Sequence, residues 1–192
     1  FTTYADDITQ VVIEEGVTTV GSYAFDMCVN LESVKLPNSL IEIHQDAFKG
    51  CEKLWDITIP SGVTKIMGSA FNGCKSLVAI EIPDSTITVA AGAFGNCENL
   101  QKVTLPKTLS CINSSTFYKC SALTSIEIPE KVTSIGYAAF EMSGLTEVTL
   151  PQGTTSIGME AFGQCTALKQ VVLPDTIRTI KSGAFDACTA LE

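Results

Sequence analysis

Eight cysteines, one histidine and a few outward carboxylates are the residues of this 192-residue chain with the means to do chemistry. Cysteines in that number ordinarily suggest a disulfide framework, a metal site or a nucleophile. Their spacing argues otherwise. Seven of them, Cys28, Cys51, Cys74, Cys97, Cys120, Cys165 and Cys188, each stand three residues after a phenylalanine, so they form one column of a repeat. A buried slot that recurs once per repeat selects a small apolar side chain, and free cysteine suits it. Reduced, buried thiols are therefore favoured over bridges between adjacent repeats, which also demand a compatible χ3 and side-chain direction. Zinc ligands must converge within about 2.3 Å of one ion, whereas thiols on consecutive repeats are spread along an axis. No metal and no cofactor is expected. Cys111 lies outside the column and is expected nearer the surface, as the thiol that reacts first.

The other candidates read as surface features. His44 with Cys51 or Cys28 would make a Cys-His nucleophile pair, but the repeat accounts for both cysteines, and His44 occupies a place held elsewhere by Gly21, Gly136 and Gly158. It is expected to be an exposed turn residue. Glu81 and Glu127 share a column with Thr104 between them, which puts them about 10 Å apart at the spacing of parallel strands. That describes a solvated face. The glycines are single turn residues with no phosphate loop. Asn113-Ser114-Ser115 fits the N-glycosylation pattern, for which chance is the simpler explanation. No catalytic residue is assigned, and the chain is not expected to be an enzyme.

The elements that must position these residues follow from one period. Phenylalanines fall at Phe25, Phe48, Phe71, Phe94, Phe117, Phe140, Phe162 and Phe185, a spacing of 23 broken once by 22. Such a period marks a solenoid, in which each coil buries its apolar face only against the coils on either side. A leucine opens each strand from Leu31 to Leu191, and two alternating columns follow it, such as Val34, Ile57, Ile80 and Leu36, Ile59, Ile82. Alternating β-branched residues read as a short strand with one face inward. Stacked, these strands form a parallel sheet along one side. All seven prolines come directly after the strand, where a residue without an N–H ends the ladder. A second inward pair follows, as in Leu40/Ile43 and Val63/Ile66, with Thr86 and Thr154 as local weaknesses. Then comes Ala-Phe, Thr116 alone replacing the alanine; the rings should stack as an interior spine. Between Phe140 and Leu145 one residue is missing and Ser143 replaces cysteine, so a kink or altered hydrogen bonding is expected there, with Gly144 absorbing the tighter turn.

The pattern LxxVxLPxxVxxIxxxAFxxCxx, in about eight copies along the whole chain, resembles the BspA-like leucine-rich repeats. The resemblance implies a right-handed leucine-rich-repeat solenoid, α/β by class but β-rich, with a parallel sheet on one face, short turns or strands on the other and no long helices. It also implies a secreted or cell-surface setting and a role in adhesion or recognition. The chain reads as a single solenoid domain over 1–192, cut mid-repeat at both ends and so a fragment whose exposed ends favour end-to-end self-association. A net charge of −9 and the lack of a basic run argue against nucleic acid. No apolar stretch approaches the roughly 18 to 20 residues that span a bilayer, so this segment is not expected to insert.

With the core assigned, function falls to the outward strand rows. Lys35, Thr58, Glu81 and Thr104 form one row; Asp56, Ala79 and Lys102 form the next. Trp55, the only tryptophan, has Val78 as its equivalent one coil later. Exposed aromatics are favoured anchors at interfaces, and the alternative is that Trp55 folds over the sheet edge as a single exposed apolar residue. The leading expectation is a non-catalytic module binding a protein or glycan through this face. The competing one is a structural spacer about 40 Å long.

Overall fold

The structure, a computed structural model, describes residues 7–192. We number eight coils, each carrying one ring of the phenylalanine column, from coil 1 (Phe25) to coil 8 (Phe185). The rings stack as expected. Successive centroids are 5.3 to 6.0 Å apart and the planes within 15° of parallel. The six central rings are fully buried, while Phe25 and Phe185 at the ends are partly so.

The strands of the two flat faces are all parallel and in register with the repeat. On the first face, Gln10–Val12, Ser33–Lys35 and Asp56–Ile57 form one ladder, Ala79–Glu81 pairs with Lys102–Thr104, and Glu147–Thr149 pairs with Gln170–Val172. The sheet expected there is therefore interrupted, after coil 3 and on both sides of coil 6. The second face is more regular than the sequence suggests. Thr19–Val20, Glu42–Ile43, Lys65–Ile66 and Thr88–Val89 form one four-stranded sheet, and Cys111–Ile112, Ser134–Ile135, Ser156–Ile157 and Thr179–Ile180 another. The interruptions on the two faces fall at different junctions, so no junction loses pairing on both faces. Among the described residues there is no α-helix.

The third side carries the phenylalanines and is continuous. In each coil the N–H groups of the ring residue and of the residues two before and two after it donate to the next coil. Tyr23, Phe25 and Met27 reach the carbonyls of Gln45, Ala47 and Lys49 at 2.7 to 3.0 Å, and the pattern repeats to Glu160, Phe162 and Gln164 on Ser182, Ala184 and Asp186. Those outer two positions are left-handed in every coil, from Tyr23 (φ 61°) and Met27 (φ 58°) to Gly183 (φ 66°) and Ala187 (φ 54°). None of the non-glycine residues there is Val, Ile or Thr, the types for which this backbone region is most strained.

Two expected weaknesses are corrected. Thr86 and Thr154 are fully buried, but their hydroxyls donate to the carbonyls of Val63 and Val132 at 2.9 and 3.0 Å, and a buried hydroxyl so bonded carries little penalty. The short coil 6 causes no kink in the spine, Phe140 and Phe162 being 5.3 Å apart, but the hydrogen bonding there is altered as expected: Ser143 Oγ lies 3.3 Å from Cys165 Sγ, and 125–127 pairs with neither neighbouring coil. The missing residue is absorbed at the corner, where Gly144 comes so close to Ser121 that a β-carbon would collide with its carbonyl oxygen.

Candidate functional site

The cysteine column is structural. None of the eight cysteines forms a disulfide, and the thiols of Cys51, Cys74, Cys97, Cys120, Cys165 and Cys188 donate to a phenylalanine carbonyl of the preceding coil at 3.0 to 3.3 Å. This recurring bond could not be read from spacing. It gives the carbonyl a donor that alanine could not supply, in most coils a second one beside the N–H three residues on. Burial pushes Cys51 and Cys97 up to about 12 and Cys74 and Cys120 well above 9.0. A nucleophile needs the opposite shift.

His44 is half-buried rather than exposed. Its Nε2 lies 2.8 Å from Glu42, whose other carboxylate oxygen is 2.8 Å from Lys65 Nζ. These contacts, Lys65 first and His44 second, hold the Glu42 carboxyl below its usual range. The imidazole thus serves a surface ion-pair chain and faces no thiol. Asn113 is also committed. Its side-chain amide donates to the Val89 carbonyl at 2.8 Å, the bond that backbone N–H groups make at the same place in other coils, as His44 does to Val20. Cys111 is half-buried on the second face, with its thiol 3.7 Å from the Asn113 amide oxygen. Among the described residues no group of three or more His, Cys, Asp or Glu is placed to hold a metal ion.

On the first face, the outward residues singled out from sequence are all exposed. A shallow depression of about 420 Å³ brings together Thr58, Ala79, Glu81, Lys102 and Thr104 from coils 3 to 5, where the ladder lapses between coils 3 and 4. A neighbouring one of about 360 Å³ holds Lys35, Asp56 and Thr58. Trp55 and Val78 line neither. They stand beside them, 60% and 46% exposed on adjacent coils. A third depression, about 520 Å³, was not expected from the sequence: Lys102 and Lys107 of coil 5 share it with Ser125 and Glu127 of coil 6 and Glu147 of coil 7. It sits over 125–127, which pairs with neither neighbour. The repeat places these side chains outward, but not the lapse in pairing beneath them.

Several known proteins share this architecture. The family profile described as a BspA type leucine rich repeat region matches residues 1–97 and 64–192, in six copies. A leucine rich repeat protein of T. pallidum is 30% identical, with a TM-score of 0.71 over 96% of this chain and 78% of its own. The pneumococcal vaccine antigen PcpA is 19% identical, with a TM-score of 0.64 over 97% of this chain and 60% of its own. A leucine rich cell surface protein of Faecalibacterium prausnitzii is 23% identical, with a TM-score of 0.53 over 98% and 60%. A search of curated proteins returned no match.

Proposed function

This chain belongs to the BspA-type leucine-rich repeat family, and we propose that it is a non-catalytic interaction module that binds a protein partner through its first face, around Trp55. The observation that carries this reading is the exposed Trp55–Val78 pair beside depressions that expose both signs of charge. A large aromatic held in water on a rigid scaffold, next to concave polar ground, is the arrangement of an interface anchor and its rim. The raised, buried column thiols and the engagement of His44 by Glu42 do not support a Cys-His pair. A secreted or surface setting is supported by the names of two neighbours, a cell surface protein and a vaccine antigen. No helix among the described residues is long and apolar enough to cross a membrane.

The test is affinity for a partner captured on the immobilised chain. Trp55→Ala should weaken binding at least about tenfold, the loss typical of an anchor worth more than about 1.4 kcal/mol. A partner whose affinity is unmoved by changes at Trp55, Val78 and Glu81 places the interface elsewhere. The unbroken phenylalanine side favours a second reading, a rigid spacer presenting other domains. That reading predicts that no first-face substitution changes the activity of the protein carrying these coils.

A further inference from the structure

The second face divides by chemistry at its one interruption. Coils 2 and 3 carry the charged set Glu42, His44 and Lys65. Beyond the interruption, the rows over coils 6 and 7 are hydroxylated and uncharged: Thr133 and Thr155, then Ser134 and Ser156. Beside them the floor is bare backbone. Gly136 and Gly158 stack directly, and a β-carbon on Gly158 would lie 2.5 Å from the Gly136 carbonyl carbon. Two side chains wall this floor, Tyr137 at 49% and Met159 at 45% exposure. The Glu160 carboxylate lies close enough to push the Tyr137 phenol above its usual range. Lys181 of coil 8 closes the far end of a depression of about 360 Å³.

We propose that this depression is a glycan site, taking a neutral linear oligosaccharide along the solenoid axis. An exposed phenol ring offers a face to the C–H side of a pyranose, and a thioether extends that apolar contact. Ser134, Ser156 and Lys181 supply donors and acceptors for sugar hydroxyls around it. The glycine floor lets a flat ring approach the backbone. Coil spacing fits a polymer as well: the 5.3 Å between Phe140 and Phe162 is close to the length of one pyranose unit, so consecutive sugars meet consecutive coils. A protein partner suits this patch less, since its centre is polar and bare where an interface core is apolar and filled. The site is separate from the first face and does not depend on Trp55.

Calorimetric titration with neutral hexasaccharides, cello-, malto-, laminari- and xylohexaose, tests this on the intact chain. At least one should bind, Tyr137→Ala should weaken it about tenfold or more, and Tyr137→Phe, which keeps the ring, should retain most of the affinity. Tyr137 is exposed on the surface, so the fold should survive, and unchanged circular dichroism and urea midpoint verify it. Trp55→Ala should leave sugar affinity unchanged, and Trp55 emission should not shift on binding. The proposal is overturned if none of the four sugars binds at millimolar concentration, if Tyr137→Ala binds as well as the parent, or if Trp55→Ala abolishes binding and so moves the site to the first face.

Discussion

The junction between coils 4 and 5 has full-length repeats on both sides, whereas the junction between coils 6 and 7 follows the one repeat that is a residue short. Each junction loses one ladder, the first on the second face and the second on the first face, but the phenylalanine spine is disturbed only at the first. Phe94 and Phe117 are 6.0 Å apart, the widest step in the stack, and the second-face sheet stops between Val89 and Cys111. At the short repeat the rings are 5.3 Å apart and Ser134–Ile135 pairs normally with Ser156–Ile157. The difference is between a change in length and a change in bulk. A deletion at a solvent corner is taken up by Gly144, whose backbone can approach its neighbour. Thr116, in contrast, puts a branched, fully buried side chain into a column of alanines between coils, and close-packed interiors transmit such volume. Asn113 then spans the gap with its amide.

The largest test is alkaline pH. Burial raises Cys97 from 9.0 to about 12 and Cys74 and Cys120 well above 9.0. The native state therefore holds protons that the unfolded chain releases. Thiol stabilisation should be complete below the unfolded pKa and decline as pH climbs from about 9 toward 12, by up to about 1.4 kcal/mol per pH unit for each thiol. Urea midpoints across that range read the slope, and Ser143→Cys, which restores the column on coil 6, should steepen it. Ring deletion comes next. Phe94→Ala and Phe140→Ala should each cost about 3 to 5 kcal/mol in urea unfolding, with Phe140→Ala the more costly because its neighbours are at 5.5 and 5.3 Å. Equal losses would mean that the wider step carries no packing difference.

Gly144→Ala should cost about 1 to 3 kcal/mol by overpacking against Ser121. If it is neutral, the short corner relaxes in some other way. Asn113→Ala should cost about 1 to 2 kcal/mol, because the Val89 carbonyl loses its donor. No change there would show that water replaces the amide, and the two junctions would then differ in shape but not in stability.

The period made the solenoid, the inward columns and the buried thiols legible, because each repeats the same side chain against the same neighbour. Outward placement of Trp55, Glu81 and Lys102 followed from the same register. What stayed hidden depends on small displacements between coils. Ser125 and Glu127 obey the repeat, yet 125–127 pairs with neither neighbour and underlies the depression shared by coils 5 to 7. The compensating hydroxyls of Thr86 and Thr154 needed coordinates too, since only geometry shows a carbonyl within reach. The depression around Tyr137 was not legible in the sequence because no residue type there is unusual; only the coordinates show two glycines stacking beside a tyrosine.

The left-handed positions flanking each ring bear on how the chain acquires its fold. Twelve of them are held by residues with a β-carbon, for which that conformation is disfavoured by about 1 to 2 kcal/mol. A single coil in isolation has no reason to adopt two such residues four apart, because the hydrogen bonds that reward the shape lie on the next coil. The smallest autonomous folding unit must therefore exceed one repeat, and each ordered coil acts as the mould for the next.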